Sequence, residues 1–543
     1  MALLSFQQRW PAFVFPLIFF CLGMVLLPYP GIQNDEVLFA NAYFGTAGSS
    51  LYSLEIFHHH LPLMALTYLG ALKTWLYAPI LWLSPPSYLT VRLPVLLLGA
   101  LTVLLFMRLL EAAHGRRAAI VGGLLLATDS MFILTTCFDW GPVALQHFFL
   151  VAGMLLMLTF CTGGAPAALF FGCCCFGLGM WDKALFNWVL SGLLVAAACV
   201  FPRELWRRLT MKSVSLAAAG FCLGALPLLA YNVTQGMPTF RSNSSFTFHE
   251  FGSKAKALQS TWNGSALLGY IANQPQAGYP RDAQGAMERA SFALRAAAGD
   301  RRQNRLEAAF YAALLITPLL WFSGTFRKLL FCLIALGVAW FLMAITKGAG
   351  MVAHHAVLLW PIPHLFLAMA FAEASLRWRK IGAWLLAVGL LYLAAENLLV
   401  TNQYIYQLAR YGGARSWTDA IYPLSAEVGR DTAQDVVVDD WGIVDPLVLL
   451  HRGQLKLVFA GNDFFSPESS DQKKDWERGL LLSGLWLGHT DGFEEFPGTN
   501  QRISKGAASV GFRKELVKVV SDRNGRPTFE IFRFVPATSA TRP

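Results

Sequence analysis

Apolar runs of close to twenty residues recur along this chain between short basic stretches, and they limit its fold more than any other feature. A helical run of about 20 residues crosses the roughly 30 Å hydrocarbon layer of a bilayer, at about 1.5 Å of rise per residue. Inside lipid each backbone amide must be bonded within its own segment, so such runs form helices and not loops. Eleven runs qualify: 11–28, 92–108, 118–135, 141–161, 167–181, 185–201, 214–231, 307–323, 328–345, 355–373 and 381–400. The first follows Arg9 without a small-residue cleavage site and reads as a retained span.

A further apolar stretch, 61–83, decides the topology. If it crossed, the loop RLLEAAHGRR at 108–117 would face outside. If it lies along the outer surface, that loop falls inside together with RELWRRLTMK (203–212), FRK (326–328) and RWRK (377–380). Four basic loops on one side is the positive-inside pattern. The expected chain therefore has 61–83 juxtamembrane or half-inserted, the N-terminus inside and the C-terminus outside. This gives an integral, multi-pass plasma-membrane (inner-membrane) protein with its chemistry on the periplasmic or extracellular side.

From about Thr401 the composition turns soluble, and the runs 436–440, 455–461 and 529–535 read as strands. The expected fold class is a polytopic α-helical membrane protein with a small soluble α/β C-terminal domain. Its membrane domain covers 1–400, with outer loops 29–91 and 232–306, and its extracytoplasmic domain covers 401–543. The long 232–305 connection, with GYIANQPQAGYP inside it, suits a mobile lid or a spacer.

Charge and cysteine usage exclude other classes. Only 14% of residues are charged, against about a quarter in soluble domains. The net charge of +10 is gathered in short loops and not along a groove, so nucleic acid is not an expected partner. All nine cysteines lie in or beside apolar runs, which leaves the last third without a disulfide framework. The triplet Cys173–Cys175 reads as small lipid-embedded hydrophobes, not as a metal site. There is no P-loop pattern and no GxGxxG after a strand, so a nucleotide site is not indicated.

The stretch 31–62, GIQNDEVLFANAYFGTAGSSLYSLEIFHHHLP, carries the densest polar chemistry near a membrane boundary. The same parity brings Asp35, Glu36, His58, His59, His60, Arg92, Asp139, Asp182, Lys183, Lys347, His354 and His355 to the outer face. Acids and cations there suit group transfer from a lipid phosphate: a carboxylate takes the acceptor proton, and cations hold the leaving phosphate. Asp35 is placed for the first role, with Asp139 in CFDWGP as a second acid. Neighbouring histidines point to different sides, so His58–His60 cannot all ligate one ion. Asp35, Glu36 and one histidine could still share a divalent cation such as zinc or manganese, and the cofactor is left open.

Taken in order, Asp-Glu after the first span, His60-Leu-Pro-Leu63, Arg92-Leu-Pro94, an acid in the next outer loop and Gly177-Leu-Gly-x-x-x-Lys183 resemble the GT-C superfamily. Within it the chain is most similar to bacterial dolichyl-phosphate-mannose protein mannosyltransferase-like and aminoarabinose (lipid A) transferase-like proteins. The apolar runs give about 11–13 transmembrane helices; the resemblance covers most of residues 30–375 and implies a polyprenyl-phosphate sugar donor. It also implies inverting transfer to a cell-envelope acceptor (glycolipid, polysaccharide or protein) at the outer face of the lipid bilayer. By position, Asp35 is the implied catalytic carboxylate, with Glu36 and Asp139 as further acids. The implied donor-phosphate ligands are His58, His59, His60, Arg92, Lys183, Lys347, His354 and His355. The sequence departs from the family pattern in having Leu61-Pro62 for Pro-Pro and Asp182 before Lys183. Two alternatives stay open: a polymerase or ligase using a lipid-linked oligosaccharide, and a lipid flippase or transporter without chemistry.

Overall fold

A computed structural model describes residues 11–44, 51–56, 59–243, 245–430, 434–461, 464–465 and 471–537. Its Tyr88–Ala113, Ala144–Gly163, Phe326–Ile345 and Lys380–Tyr411 helices are each long and apolar enough to cross a bilayer. Four more elements are bent pairs: Arg116–Thr128 with Ser130–Cys137 (60°), Ala184–Val200 with Pro202–Arg208 (101°), Met211–Gly224 with Leu226–Thr234 (76°), and Ala353–Leu359 with Ile362–Arg377 (44°). Three shorter apolar helices are Phe13–Leu26, Pro166–Asp182 and Leu306–Leu320. These elements coincide one for one with the eleven apolar runs, and the chain is an integral membrane protein.

The bends have local causes. Pro202, Pro227 and Pro361 lack the amide that would continue a helical ladder. At the remaining bend the Asp129 carboxylate caps the new helix by accepting the Phe132 amide at 2.9 Å. Where two apolar helices cross closely, glycine makes room: a Cβ at Gly177 would stand 2.2 Å from the Phe221 carbonyl oxygen. The half-buried Cys173–Cys175 belong to the Pro166–Asp182 helix of that crossing.

The 61–83 stretch forms no span. Strands β1 (Tyr52–Ile56) and β2 (His59–Met64) make an antiparallel hairpin, followed by the Leu72–Leu83 helix. Twelve helical residues rise about 18 Å, short of the roughly 30 Å needed.

The basic loops are laced together at one end of the bundle. Arg327 pairs with Glu204 at 2.8 Å, Lys328 donates to the Ala113 carbonyl (2.6 Å), and Arg117 donates to Ser375 (3.0 Å). Asp35, Arg92, Asp139 and Lys183 lie at the opposite ends of the same helices.

The last long helix runs on to Tyr411, eleven residues beyond the composition change at 400, and leads into an α/β domain. Its sheet has the order β4-β3-β5-β7-β6, from β3 (Asp435–Val438), β4 (Lys456–Phe459), β5 (Leu485–His489), β6 (Phe512–Ser521) and β7 (Pro527–Pro536). The first three in that order are parallel; β6 and β7 are antiparallel. Strand β3 is buried on both sides, as a central parallel strand must be. Val436 and Val438 pack with Ile421, Leu424 and Leu447, while Val437 packs with Trp486, Leu480 and Ile503.

The domain sits directly on the membrane body. Leu449 enters a cluster with Ile32, Val37 and Phe39. Asp445 accepts a hydrogen bond from Asn41, Arg523 donates to the Pro28 carbonyl at 3.0 Å, and Arg452 donates to the Leu81 carbonyl at 2.8 Å. The 232–305 connection, expected as a lid or spacer, is largely helical (Pro238–Asn243, Phe251–Trp262, Gly285–Ala298). It is tied down where Asn273 donates to the Gly413 carbonyl at 2.7 Å and Trp262 packs on Phe310.

Candidate active site

Gln33 starts the helix that carries the acid pair. Its Oε1 accepts the Asp35 amide at 2.7 Å, and its own amide donates to Glu36 Oε2 at 3.3 Å, a reciprocal cap. Asp35 and Glu36 fall in the first turn of Asn34–Phe44, where the free amides favour negative charge.

The two acids then separate completely. Glu36 is fully buried and paired with Arg92, at 2.6 Å to Nε and 2.9 Å to Nη2. Arg92 gives its remaining donors to the carbonyls of Leu27 (2.7 Å), Pro30 (2.9 Å) and Gly31 (2.7 Å). Glu36 and Arg92, expected at a catalytic and a phosphate-binding position, serve each other and the backbone instead. A guanidinium with every N–H in use inside the protein has none to offer a phosphate.

Asp35 is half-buried beside a narrow cleft lined by Leu38, Gly70, Lys73, Pro142 and Asp182. Trp140 donates its indole N–H to Asp35 Oδ2 at 3.3 Å. Burial pushes the Asp35 carboxyl above its ordinary value, against the opposing pull of the Trp140 bond and the Lys183 charge.

Asp139 holds the floor. Its φ of +43° is the left-handed conformation, which aspartate tolerates better than most residues. Its Oδ1 accepts the amides of Val143 and Ala144, both at 2.9 Å, and Lys73 lies 2.8 Å from Oδ2. Burial opposes the charge, but Lys73 and the two amides outweigh it and hold the carboxyl below its ordinary value. Lys73 also donates to the Glu36 carbonyl at 2.9 Å. No reading of the sequence singled out Lys73, since it lies inside an apolar run and its partner is remote in sequence.

Lys183 caps the Pro166–Asp182 helix and donates its ammonium to the Gly141 carbonyl, next to Asp139. The Trp140 ring sits between Tyr270 and His354, with centroids 4.4 and 4.2 Å away. Asp35, Asp139, Asp182, Lys183 and His354 are thus brought together, and Lys73, Trp140 and Tyr270 join them.

The remaining cations are elsewhere. His355 accepts the Gly350 amide at Nδ1 (3.1 Å), one residue along from the cluster. Lys347 is exposed, its amide donating to the Ser245 carbonyl at 2.8 Å. His60 is exposed along the β1–β2 hairpin; His58 lies outside the described residues, and only the backbone of His59 is described. An ion shared by Asp35, Glu36 and a histidine does not fit, because Glu36 is turned to Arg92. Among the described residues no three His, Cys, Asp or Glu side chains are placed to hold one.

Neither a family model nor a curated protein sequence matches the chain. Solved structures do. ArnT from Cupriavidus metallidurans bound to undecaprenyl phosphate superposes with a TM-score of 0.57 at 14% identity, over 98% of each chain. Arabinofuranosyltransferase AftD from Mycobacteria gives 0.52 at 16% identity, over 98% of this chain and 40% of that one. The Archaeoglobus fulgidus oligosaccharyltransferase in complex with Zn and sulfate gives 0.51 at 13% identity, over 88% of this chain and 68% of that one. At such identities the likeness concerns architecture, and it agrees with the order of motifs along the chain. The protein shares the fold of these solved structures, with a small α/β domain at its C-terminus.

Proposed function

We propose that the protein is an integral-membrane glycosyltransferase that moves a sugar from a polyprenyl-phosphate donor to a cell-envelope acceptor at the outer face. The observation that carries this reading is the state of Asp35. Of the acids expected here, Glu36 and Asp139 are consumed by buried cations and amides, whereas Asp35 is bonded to the neutral Trp140 and Asn34 side chains, pairs with no cation among the described residues and borders the cleft. The fold, shared with an ArnT solved with undecaprenyl phosphate, supports the same donor class.

In the proposed reaction Asp35 takes the proton of the acceptor hydroxyl as that oxygen attacks the anomeric carbon. The new C–O bond forms on the face opposite the phosphate, the old C–O bond breaks, and the lipid phosphate leaves with the electron pair, inverting the anomeric centre. The raised pKa of Asp35 makes it a stronger base than a solvated carboxylate. Lys183 keeps two ammonium protons beyond its bond to Gly141 and neutralises the leaving phosphate. Lys73 does not contact the phosphate; it holds Asp139, and through it the loop bearing Trp140.

Purified protein supplied with labelled polyprenyl-phosphate sugars and envelope acceptors tests the reading. Transfer by the native chain, lost in Asp35→Asn while donor lipid still binds, is the expected result. Full transfer by Asp35→Asn removes Asp35 from the role. Lipid movement across vesicles with no transfer from any donor replaces the transferase by a flippase.

A further inference from the structure

The C-terminal domain packs against the helix that carries Asp35, and the edge it brings there has its own chemistry. Strand β3 lies between its two parallel neighbours, so the chain moves to one side from β3 to β4 and then back across β3 to β5. In open α/β sheets ligands bind at the carboxyl ends of strands at such a reversal. Here that end carries Asp440, just after β3, and His489, the last residue of β5.

Asp440 is wholly occupied. Its Oδ2 accepts from His489 Nδ1 (2.8 Å) and the Glu495 amide (2.7 Å), and its Oδ1 from the amides of Trp441 (2.8 Å) and Phe496 (3.3 Å). These bonds fix a loop on which the Glu495 side chain has a buried Oε2 without a partner. On the same rim Gly442 meets the Arg415–Trp417 turn that follows the last long helix: a Cβ there would stand 3.1 Å from Ser416 Cβ. The preceding Arg415 is exposed in a left-handed conformation, φ +46°, and forms no ion pair among the described residues. That conformation disfavours an ordinary side chain and is kept where surrounding structure demands it.

Tyr270 arrives from the other side. Ala272 pairs with Gly413, two residues before Arg415, and the Tyr270 ring lies against Trp140, whose indole reaches Asp35. The Glu495 loop, bonded to Asp440 beside Gly442 and Ser416, and the Tyr270 segment, tied through Ala272 to Gly413, thus flank the Arg415 turn from two sides.

We propose that Glu495 and Arg415, with the rings of Tyr270 and Trp140, form a subsite for a carbohydrate ring of the acceptor. This rests on the transferase reading and gives the acceptor a chemical class. A carboxylate with a free oxygen takes a sugar hydroxyl, and a guanidinium donates to a neighbouring sugar oxygen. The aromatic faces cover the apolar C–H face of the ring.

The test titrates full-length protein in lipid nanodiscs with a panel of methyl glycosides, in the Asp35→Asn background so that no turnover intervenes. Binding of at least one glycoside, weakened about tenfold or more by Glu495→Gln and by Arg415→Met, is expected for the loss of a charged hydrogen bond. Binding of labelled undecaprenyl phosphate and the melting temperature stay as in the parent. Equal glycoside binding in both variants, or no binding by any member of the panel, overturns the subsite. If glycosides bind through Glu495 but the native chain transfers sugar from no polyprenyl-phosphate donor, the transferase reading fails and the subsite stands.

Discussion

Two pairs of adjacent acids, Asp35-Glu36 in the membrane body and Asp439-Asp440 in the C-terminal domain, are built alike. In each, one acid is consumed: Glu36 by Arg92, Asp440 by His489 and three backbone amides. In each, the other keeps free oxygens. Yet Asp439 is sealed at 2% exposure against Gly488, where a Cβ would stand 2.5 Å from its carboxylate, whereas Asp35 is half-buried and borders a narrow cleft with Lys183 nearby. A freed carboxylate becomes a site only with access and a countercharge for the leaving group. Burial without them leaves a neutral acid.

The sharpest way to break this comparison is at Asp35. Asp35→Asn is expected to lower transfer by about 10²–10⁴-fold, the usual worth of a positioned base, read as kcat/KM with matched donor binding. In the native protein the acid limb of the pH–rate profile should lie above the ordinary carboxylate value of about 4, because the base must be ionised and burial holds its proton. A limb at or below that value would contradict the assignment.

The consumed partner should behave in the opposite way. Arg92→Met leaves Glu36 charged and buried alone, at a cost of about 3–5 kcal/mol in stability, whereas the double variant with Glu36→Met recovers much of it. Thermal unfolding of the detergent-solubilised protein measures both. A stable Arg92→Met that has lost only donor-phosphate affinity would return Arg92 to the phosphate site.

A smaller effect is expected at the tie between the two halves of the site. Lys73→Met strands Asp139 without its cation and should cost about 1–3 kcal/mol or more in stability, with a loss of transfer that donor excess does not rescue. If saturating donor restores the rate, Lys73 contacts the phosphate directly.

The smallest effect separates the second acid pair. Burial raises the Asp439 pKa far above the ordinary value, so the folded state holds a proton that the unfolded chain has lost above about pH 4. Stability then falls as pH rises through that window. Asp439→Asn removes this dependence: it should melt higher than the native protein at neutral pH, with the gap closing toward pH 4 and transfer unchanged. A loss of transfer would make Asp439 part of the chemistry.

Much of the architecture was legible from residues alone. A span needs its apolar residues contiguous, so each of the eleven runs announced its element locally, and the charged loops fixed their common side. The β1–β2 hairpin, β5 and β6 carry no such local signal, and the last two show why. β5 is the five-residue LWLGH, too short to show a period, and β6 is the edge strand FRKELVKVVS, whose charges suit an unpaired edge. The 232–305 connection was read as loose because its helices are short and polar; their order comes from packing on the last helix.

The candidate site divides along the same line. That Asp35, Asp139, Lys183 and His354 share one end of the bundle follows from parity, which is a property of the chain. Which of two adjacent acids stays free was decided only in the tertiary structure, because a helix points successive side chains about 100° apart and Arg92 waits on one side alone. The Lys73–Asp139 pair and the Arg415, Glu495 and Tyr270 wall depend on residues far apart in sequence that no local pattern links. Span, side and helical character were therefore determined by the sequence, since lipid imposes them residue by residue. The partner of each charge was left to the fold, because a buried charge is satisfied only by what folding brings to it.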